Sequence, residues 1–471
     1  MTRPETLQGI YVTLQEDGDQ ESLCNSLDVL RHMIQASEDS ERGSRLGVRG
    51  TDVIWQILKT KPILKNNATD TLKFRVYRGV VLYLRSVSSY SILECSTILQ
   101  CLLSFWKCFN SELTGDLEYW KWKTLVSYAE LLSNLSVSAS AIHELDGCHL
   151  GDFFDLCAQS STWRMREFNN PFIRFFQNWI KQSDAPQVFL SLDNNSLLDD
   201  MALEVGRLAV ADQFSVEDEL LLQAFSQLLI DQAFGTFLQN YHSTRSSEQF
   251  TVLLNACRLL ITADVLDMSS HWIACLNWLI PALGVLTMKT TIVLSESTDK
   301  NDINYANRQT IAVLDAVSHI LQDLDLSHFD GKLQIVGYLG ELLKVTHHKA
   351  ATKTLGKRSK EGTPLPKYPM VKSLVIEILG RLCFDDPEVQ RIIREEYILE
   401  YILSSCIIDD YNPYIKERAI ICIKYALAGN AANQKFVAEL EAQQVVDESV
   451  LNQAGVEAYV ENGSVKFRKY A

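Results

Sequence analysis

The chain has 471 residues, 47% apolar and 22% charged, a usage that excludes a mostly disordered protein. Ten prolines and 21 glycines are too few for an all-β fold, which turns about every 8–12 residues. With 59 acidic against 44 basic residues the net charge is −15, which repels phosphate backbones and excludes general nucleic-acid binding.

The opening stretch MTRPETLQGIYVTLQEDGDQ has no apolar signal-peptide core, so a cytoplasmic protein is expected. Short polar breaks (QEDGDQES near Asp17, ASEDSERGSRLG from Ala36, SLDNNSLLDD from Ser191, SESTDKNDIN from Ser295) read as caps and surface loops between helices. Between them the helical period recurs. Phe74, Tyr77, Val81 and Leu84 fall on one face, as do Phe250, Leu253, Leu254, Cys257, Leu260 and Ile261. Trp120, Trp122, Tyr119 and Tyr128 form one aromatic cluster. WRMREFNNPFIRFFQNWI, from Trp163 to Ile180, forms a second, mixed with Arg164, Arg166 and Arg174. At helical spacing both read first as core, with partner recognition the alternative for Trp120 and Trp122. The stretch from His271 to Met288 approaches membrane length but holds Asn277 and Pro281, so a buried or kinked helix is expected and no membrane insertion.

Residues 347–369 carry six Lys or Arg against Glu361 alone, with Pro364, Pro366 and Pro369. They read as a flexible loop between an N-terminal helical-repeat region, 1–346, and a C-terminal domain, 370–471. Such a segment serves either as a plain solvated linker or as a docking segment, with Thr363 before Pro364 a candidate regulatory phosphosite.

After the loop, Val371, Leu374, Val375, Ile378, Leu379 and Leu382 line one broad apolar stripe. IEILGRLCFDDPEVQRIIRE from Ile376 and IICIKYALAGNAANQKFVAE from Ile420 superimpose at a shift of 44, which pairs Leu382 with Ala426, Gln390 with Gln434 and Glu395 with Glu439. This period belongs to the roughly 40–47 residues of HEAT and armadillo units, each of which must stack to bury its apolar face. LLSNLSVSASAIHEL, from Leu131, has a similar look. The expected fold is an all-α, armadillo/HEAT-like helical-repeat solenoid, a right-handed superhelix of helix pairs.

YPMVKSLVIEILGRLCFDD, DDYNPYIKERAIICIKYAL and NAANQKFVAELEA, over Tyr368 to Glu441, resemble the ataxin-10 family, of the fungal type, with its armadillo-like C-terminal domain. The strand-like tail from Gly455 to Tyr470 fits as well. In DDYNPYIKE, Asn412 is suited to cap the next helix and Pro413 to its first position. LLSNLSVSASAIHEL resembles a family armadillo unit, with Asn134 where such repeats place an asparagine facing a partner's backbone. The equivalent C-terminal places hold Arg381 and Tyr425, so a continuous asparagine ladder is not expected. The resemblance implies a non-catalytic, cytoplasmic scaffold that binds other proteins and is linked to cytokinesis and cell division.

No motif for catalysis stands out: HExxH, a phosphate-binding Gly-rich loop and GxSxG are all missing. No cofactor is expected. Eleven cysteines, mostly inside apolar helical patterns such as Cys257, read as free thiols in a reducing compartment. Two alternatives stand beside the scaffold. One is a metal-handling protein that holds copper or zinc through Cys95, Cys101, Cys108, His143, Cys148 and His149, or through the pair His347 and His348. The other is an armadillo-type transport adaptor.

Overall fold

The computed structural model describes residues 10, 20–37, 68–88, 116–137, 147–182, 184–192, 195–208, 211, 213–263, 266–297, 299–326, 329–353, 365–440, 456–461 and 464–469. They divide into two compact units, the first formed by 1–245 with 255–267 and the second by 246–254 with 268–471.

Unit 1 runs through α1 (Gln20–Ser37), α2 (Ala68–Ser88), α3 (Asp116–Leu135), α4 (Gly147–Ala158), α5 (Arg166–Ile180), α6 (Ala185–Leu190), α7 (Ser196–Leu208), α8 (Val216–Ile230), α9 (Ala233–Thr244) and the second half of α10 (Ser247–Thr262). Helices α1, α2, α3, α5 and α8 form one row, each packed on the next, while α4 packs on α7 and α6 on α9. The stripe foreseen on α2 is the reason: Phe74, Tyr77, Val81 and Leu84 are all buried. The second aromatic cluster is core. Phe168, Phe172, Phe175, Phe176 and Trp179 of α5 pack with Phe153 and Phe154 of α4 and Phe189 of α6, whereas Arg166 and Arg174 face outward. Burying each such ring contributes about 1.5–3 kcal/mol.

Side chains along this row bond at a regular sequence distance. Arg78 Nε donates to the Lys123 carbonyl at 3.3 Å, Lys123 Nζ to Glu167 at 2.7 Å, and Gln177 to Gln223 at 3.1 Å, steps of 45, 44 and 46 residues. The repeat is thus present in unit 1 as spacing between stacked helices even where its wording is lost.

Unit 2 contains α11 (Trp272–Glu296), α12 (Lys300–Asp323), α13 (Lys332–Lys349), α14 (Val371–Cys383), α15 (Pro387–Glu395), α16 (Ile398–Ser404), α17 (Ile415–Leu427), α18 (Ala431–Glu439) and a hairpin of β1 (Val456–Glu461) and β2 (Ser464–Lys469). Helix α11 packs on α12 and α13, and α12, α14 and α17 form a row with α13, α16, α15 and α18 beside it. By length and composition α11 is apolar enough to cross a membrane. Here it is one helix through Pro281, with Cys275, Leu276, Leu279, Leu283 and Leu286 buried.

The 44-residue period is visible in the backbone. Met370 (φ 67°) and Tyr414 (φ 58°) lead into α14 and α17 in the left-handed region, and Asp385 (φ 53°) and Gly429 (φ 69°) follow those helices. Asp386 and Asn430 then cap α15 and α18 by accepting backbone N–H bonds. Gln390 Nε2 reaches the Cys383 carbonyl at 3.1 Å, and Gln434 Nε2 reaches Leu427 at 2.8 Å, the same bond one unit later. Apart from the β1–β2 hairpin of unit 2, each unit is a helical-repeat stack of the armadillo/HEAT kind.

The expected inter-domain loop at 347–369 is placed differently. Residues 347–349 complete α13, and the boundary between compact units falls at 246–268. Both described ends of the segment are tied into unit 2. Ala351 N–H donates to the Pro366 carbonyl at 2.8 Å, and Asn307 Nδ2 to Pro369 at 3.0 Å. Buried Tyr368 bonds through its hydroxyl to Thr290 at 2.8 Å and Thr310 at 3.2 Å. Buried phenols usually bond in this way, and these two bonds fix this end of the segment against α11 and α12.

Candidate functional site

In unit 1 the row α2–α3–α5 presents a face built from cations, aromatics and amides. Trp120 is half-buried beneath Arg75, whose guanidinium lies 5.0 Å from the ring centroid, and Arg78 lies at 5.9 Å. Burial pulls the Arg78 guanidinium below its ordinary value, against the opposing pull of Glu130. Tyr119 is exposed and meets Trp120 edge-on, with Lys123 over its ring at 5.8 Å. Cation–ring pairs of this sort are worth about 0.5–1 kcal/mol at exposed sites. Trp122 turns to the other side and packs on Phe168 at 5.8 Å, so Trp120 and Trp122 do not form one patch.

Asn134 is exposed near the end of α3, and its Nδ2 points to the Arg85 carbonyl at 3.4 Å. Asn178, one 44-residue step later on α5, donates to Ser136 Oγ at 3.0 Å. Two successive units therefore carry an asparagine at this place. Comparison of Asn134 with the distant C-terminal units missed it, and a search at +44 finds it.

In unit 2 the row α12–α14–α17 carries a connected polar network. Glu377 accepts from Arg381 at 2.8 Å, from Ser318 Oγ at 3.2 Å and pairs with Arg418 at 2.5 Å. Arg381 also donates to the Ser318 carbonyl, and Arg418 to Ser373 Oγ at 2.8 Å. Burial lowers the Arg381 pKa, opposed by Glu377. Arg381 is thus half-buried and bonded to Glu377 of its own helix and to Ser318 of α12, while Glu377 carries the network on to Arg418 of α17. Tyr425 is half-buried, its ring edge-on to exposed Phe384 at 5.0 Å and its carbonyl taken by Gln390 at 2.9 Å.

The loop wording quoted for the family is a buried junction. The Asp409 carboxylate is fully buried and pairs with Lys372 Nζ at 3.2 Å. It also accepts from the Lys353 N–H at 3.0 Å, the Tyr411 N–H at 3.1 Å and Asn412 Nδ2 at 2.8 Å. Lys372 donates further to Thr352 at 3.0 Å. Asp410 N–H donates to the Lys353 carbonyl at 2.9 Å, and the two side chains pair at 3.0 Å. A buried ion pair is held only with such surrounding hydrogen bonds. The junction thereby grips the chain on the near side of 354–364 while Tyr368 grips it on the far side.

Asn412 does not cap α17. It is itself buried, its side-chain amide is drawn to Asp409, and the helix starts at Ile415 after the left-handed Tyr414, so Pro413 lies in the turn and not at the first helical position. Glu417 is in the first turn of α17, where its charge meets the positive end of the helix. Thr363 lies outside the described residues, as do Cys95, Cys101, Cys108 and His143, and the side chains of Cys148 and His149 are not described. His347 and His348 sit in the last turn of α13, both edge-on to Tyr401 at 5.3 and 5.6 Å. Among the described residues no three His, Cys, Asp or Glu side chains gather as metal ligands. Cys157, Cys257, Cys275, Cys383 and Cys422 are buried free thiols, and burial pushes the Cys275 thiol up to about 12.

Stacked helix pairs recurring every 44 residues, with polar side chains bridging successive units, define a helical-repeat protein of the armadillo/HEAT class. A family model described as the spinocerebellar ataxia type 10 protein domain matches residues 371–468. The ataxin-10 homolog of Debaryomyces hansenii is 30% identical over 97% of this chain and 94% of that protein. The Candida albicans ataxin-10 homolog is 23% identical over 88% and 89% of the two. This chain belongs to the ataxin-10 family. Among solved structures a Kap121p mutant aligns at a TM-score of 0.26 and 11% identity, over 96% of this chain and 52% of that one, too remote to argue from.

Proposed function

We propose that this chain is a non-catalytic protein-interaction scaffold that works in cell division, as the ataxin-10 resemblance implies. The observation that carries the reading is the face of unit 1, where Trp120, Tyr119, Arg75, Arg78, Lys123 and the asparagines Asn134 and Asn178 come from successive stacked helices. Aromatic and arginine side chains dominate protein-binding energetics. The basic segment 354–364, held at both ends by Lys353 and Tyr368, is a second docking element, and Thr363 within it is the candidate phosphosite.

The test is affinity purification from dividing cells of three proteins: the intact chain, Trp120→Ala, and the chain with 354–364 replaced by a neutral Gly/Ser stretch of equal length. The intact chain should retain defined protein partners, and at least one partner should drop tenfold or more with one of the variants while circular dichroism is unchanged. Full retention of every partner by both variants, or turnover of a small molecule by the pure protein, overturns the reading.

A further inference from the structure

The polar side chains that bridge α2, α3 and α5 lie in rows, each reached by a step of 44 or 45 residues. Arg75 lies over Trp120. Arg78 donates to the Lys123 carbonyl, Lys123 pairs with Glu167, and Arg85 pairs with Glu130. Arg174 stands 44 residues after Glu130, as Asn178 stands 44 after Asn134. Along each helix these residues recur at spacings of three, four or seven, which puts them on one stripe. None of them is buried. Because α2 packs on α3 and α3 on α5, the three stripes make one polar face of unit 1.

This face is cationic on an acidic chain. Five cations, Arg75, Arg78, Arg85, Lys123 and Arg174, stand against the two carboxylates Glu130 and Glu167, while the whole chain carries −15. Both carboxylates are already engaged, by Arg85 and Lys123. Among the described residues Arg75, Arg78 and Arg174 make no ion pair with a carboxylate. The next carboxylate along the row, Glu217 of α8, feels Arg174 only at longer range and accepts from Asn170. An arginine meets a ring with the face of its guanidinium, and its five N–H donors lie in the guanidinium plane. Trp120 therefore holds Arg75 without consuming the donors that suit a carboxylate in bidentate fashion.

We propose that this face binds an extended acidic segment of a partner protein, whose Asp and Glu carboxylates pair with Arg75, Arg78 and Arg174. The inference rests on the scaffold reading and adds the chemistry of the partner. Packed helices lie about 8–10 Å apart, so α2 to α5 spans roughly 20 Å. From the level of Arg78 to that of Arg174 the path also climbs two turns, about 10 Å. At about 3.3 Å per residue, an extended segment of about seven residues crosses the face. The rest of this acidic chain repels anions, so an acidic partner is attracted only where these cations cluster. That attraction falls as added salt shortens the screening length from about 10 Å at 0.1 M.

The experiment follows the fluorescence anisotropy of a fluorescein-labelled peptide of alternating Glu and Asp as the full chain is added. Saturable binding that weakens as salt rises is expected. Arg75→Gln/Arg78→Gln should weaken it tenfold or more and Arg174→Gln several-fold, while Arg391→Gln, on α15 of unit 2, leaves it unchanged. The exposed Arg174 side chain makes no hydrogen bond or ion pair among the described residues, so its variant keeps the fold and carries the test even where the double variant does not. Circular dichroism checks each protein. Absence of saturable binding, binding undiminished by the arginine variants, or tighter binding of a single-stranded oligonucleotide of equal charge overturns the proposal. Partners lost on Trp120→Ala from a chain that ignores the acidic peptide leave the scaffold reading standing and sink this inference alone.

Discussion

Replacing Asp409 by alanine tests the junction most severely. The substitution strands the Lys372 ammonium, whose side chain is 5% exposed, with the Thr352 hydroxyl as its remaining hydrogen-bond partner at 3.0 Å. It also removes the acceptor used by the Lys353 and Tyr411 N–H groups and by Asn412. Breaking a buried pair by deleting one member costs about 3–5 kcal/mol, a large share of a domain's roughly 5–15 kcal/mol. With a urea slope of about 1–3 kcal/mol/M, the transition of unit 2 should move down by about 1–5 M. Circular dichroism follows it, and trypsin cleavage near Lys353 reports release of that strand from the junction. The double variant Lys372→Met/Asp409→Leu should recover only the part of the loss that comes from the stranded ammonium, because the Lys353 and Tyr411 N–H groups still lack their acceptor. An Asp409→Ala protein within about 0.5 kcal/mol of its parent, the scatter of ordinary surface changes, or a double variant as damaged as the single, refutes this view of the junction.

Gln390 and Gln434 make the same bond in successive units, but Gln390 is buried and also reaches Tyr425, whereas Gln434 is exposed. Gln390→Ala should cost about 1–3 kcal/mol and Gln434→Ala no more than about 0.5 kcal/mol, compared by urea unfolding. Tyr368→Phe removes one hydroxyl from the cluster with Thr290 and Thr310, which still face each other at 3.3 Å. It should cost about 0.5–1.5 kcal/mol, seen as a lower thermal midpoint, and should speed proteolysis within 354–364. Burial opposes ionisation of Asp386, yet its bond to Lys332 at 2.6 Å and the N–H groups of Val389 and Glu388 hold its carboxyl below the usual range. A depressed carboxyl contributes stability above its unfolded pKa of about 4 and loses it as pH falls through the lower folded value. Asp386→Ala should therefore narrow the stability difference from the parent as pH drops below about 4, and a gap that is constant from pH 7 to 2.5 contradicts the assignment.

The helices were legible because their apolar residues repeat. Val371, Leu374, Val375, Ile378, Leu379 and Leu382 are all buried, as are Phe250, Leu253, Leu254, Cys257, Leu260 and Ile261. The 44-residue period was legible where wording survives in α14–α15 and α17–α18. The site was less so, for a physical reason: its bonds join residues about 20 to 60 positions apart. Lys372 reads as a surface lysine on an apolar helix until Asp409 is folded against it. Asn412, beside a proline, has the look of a helix cap, but Tyr414 takes the left-handed turn and leaves Asn412 inside. Basic, proline-bearing 347–369 reads as linker because no local pattern betrays that Tyr368 finds two threonines in α11 and α12.

Helix pairs unable to bury their apolar faces alone are stacked at a spacing of about 44 residues within each compact unit. Amide exchange along the intact chain tests it most directly. In unit 2 the slowest amides should lie in α12 and α14, each covered by neighbours in its row, with faster exchange in the short outer helix α15 and again, 44 residues on, in α18. Rapid exchange throughout α14, or protection that does not recur with that spacing, would contradict it.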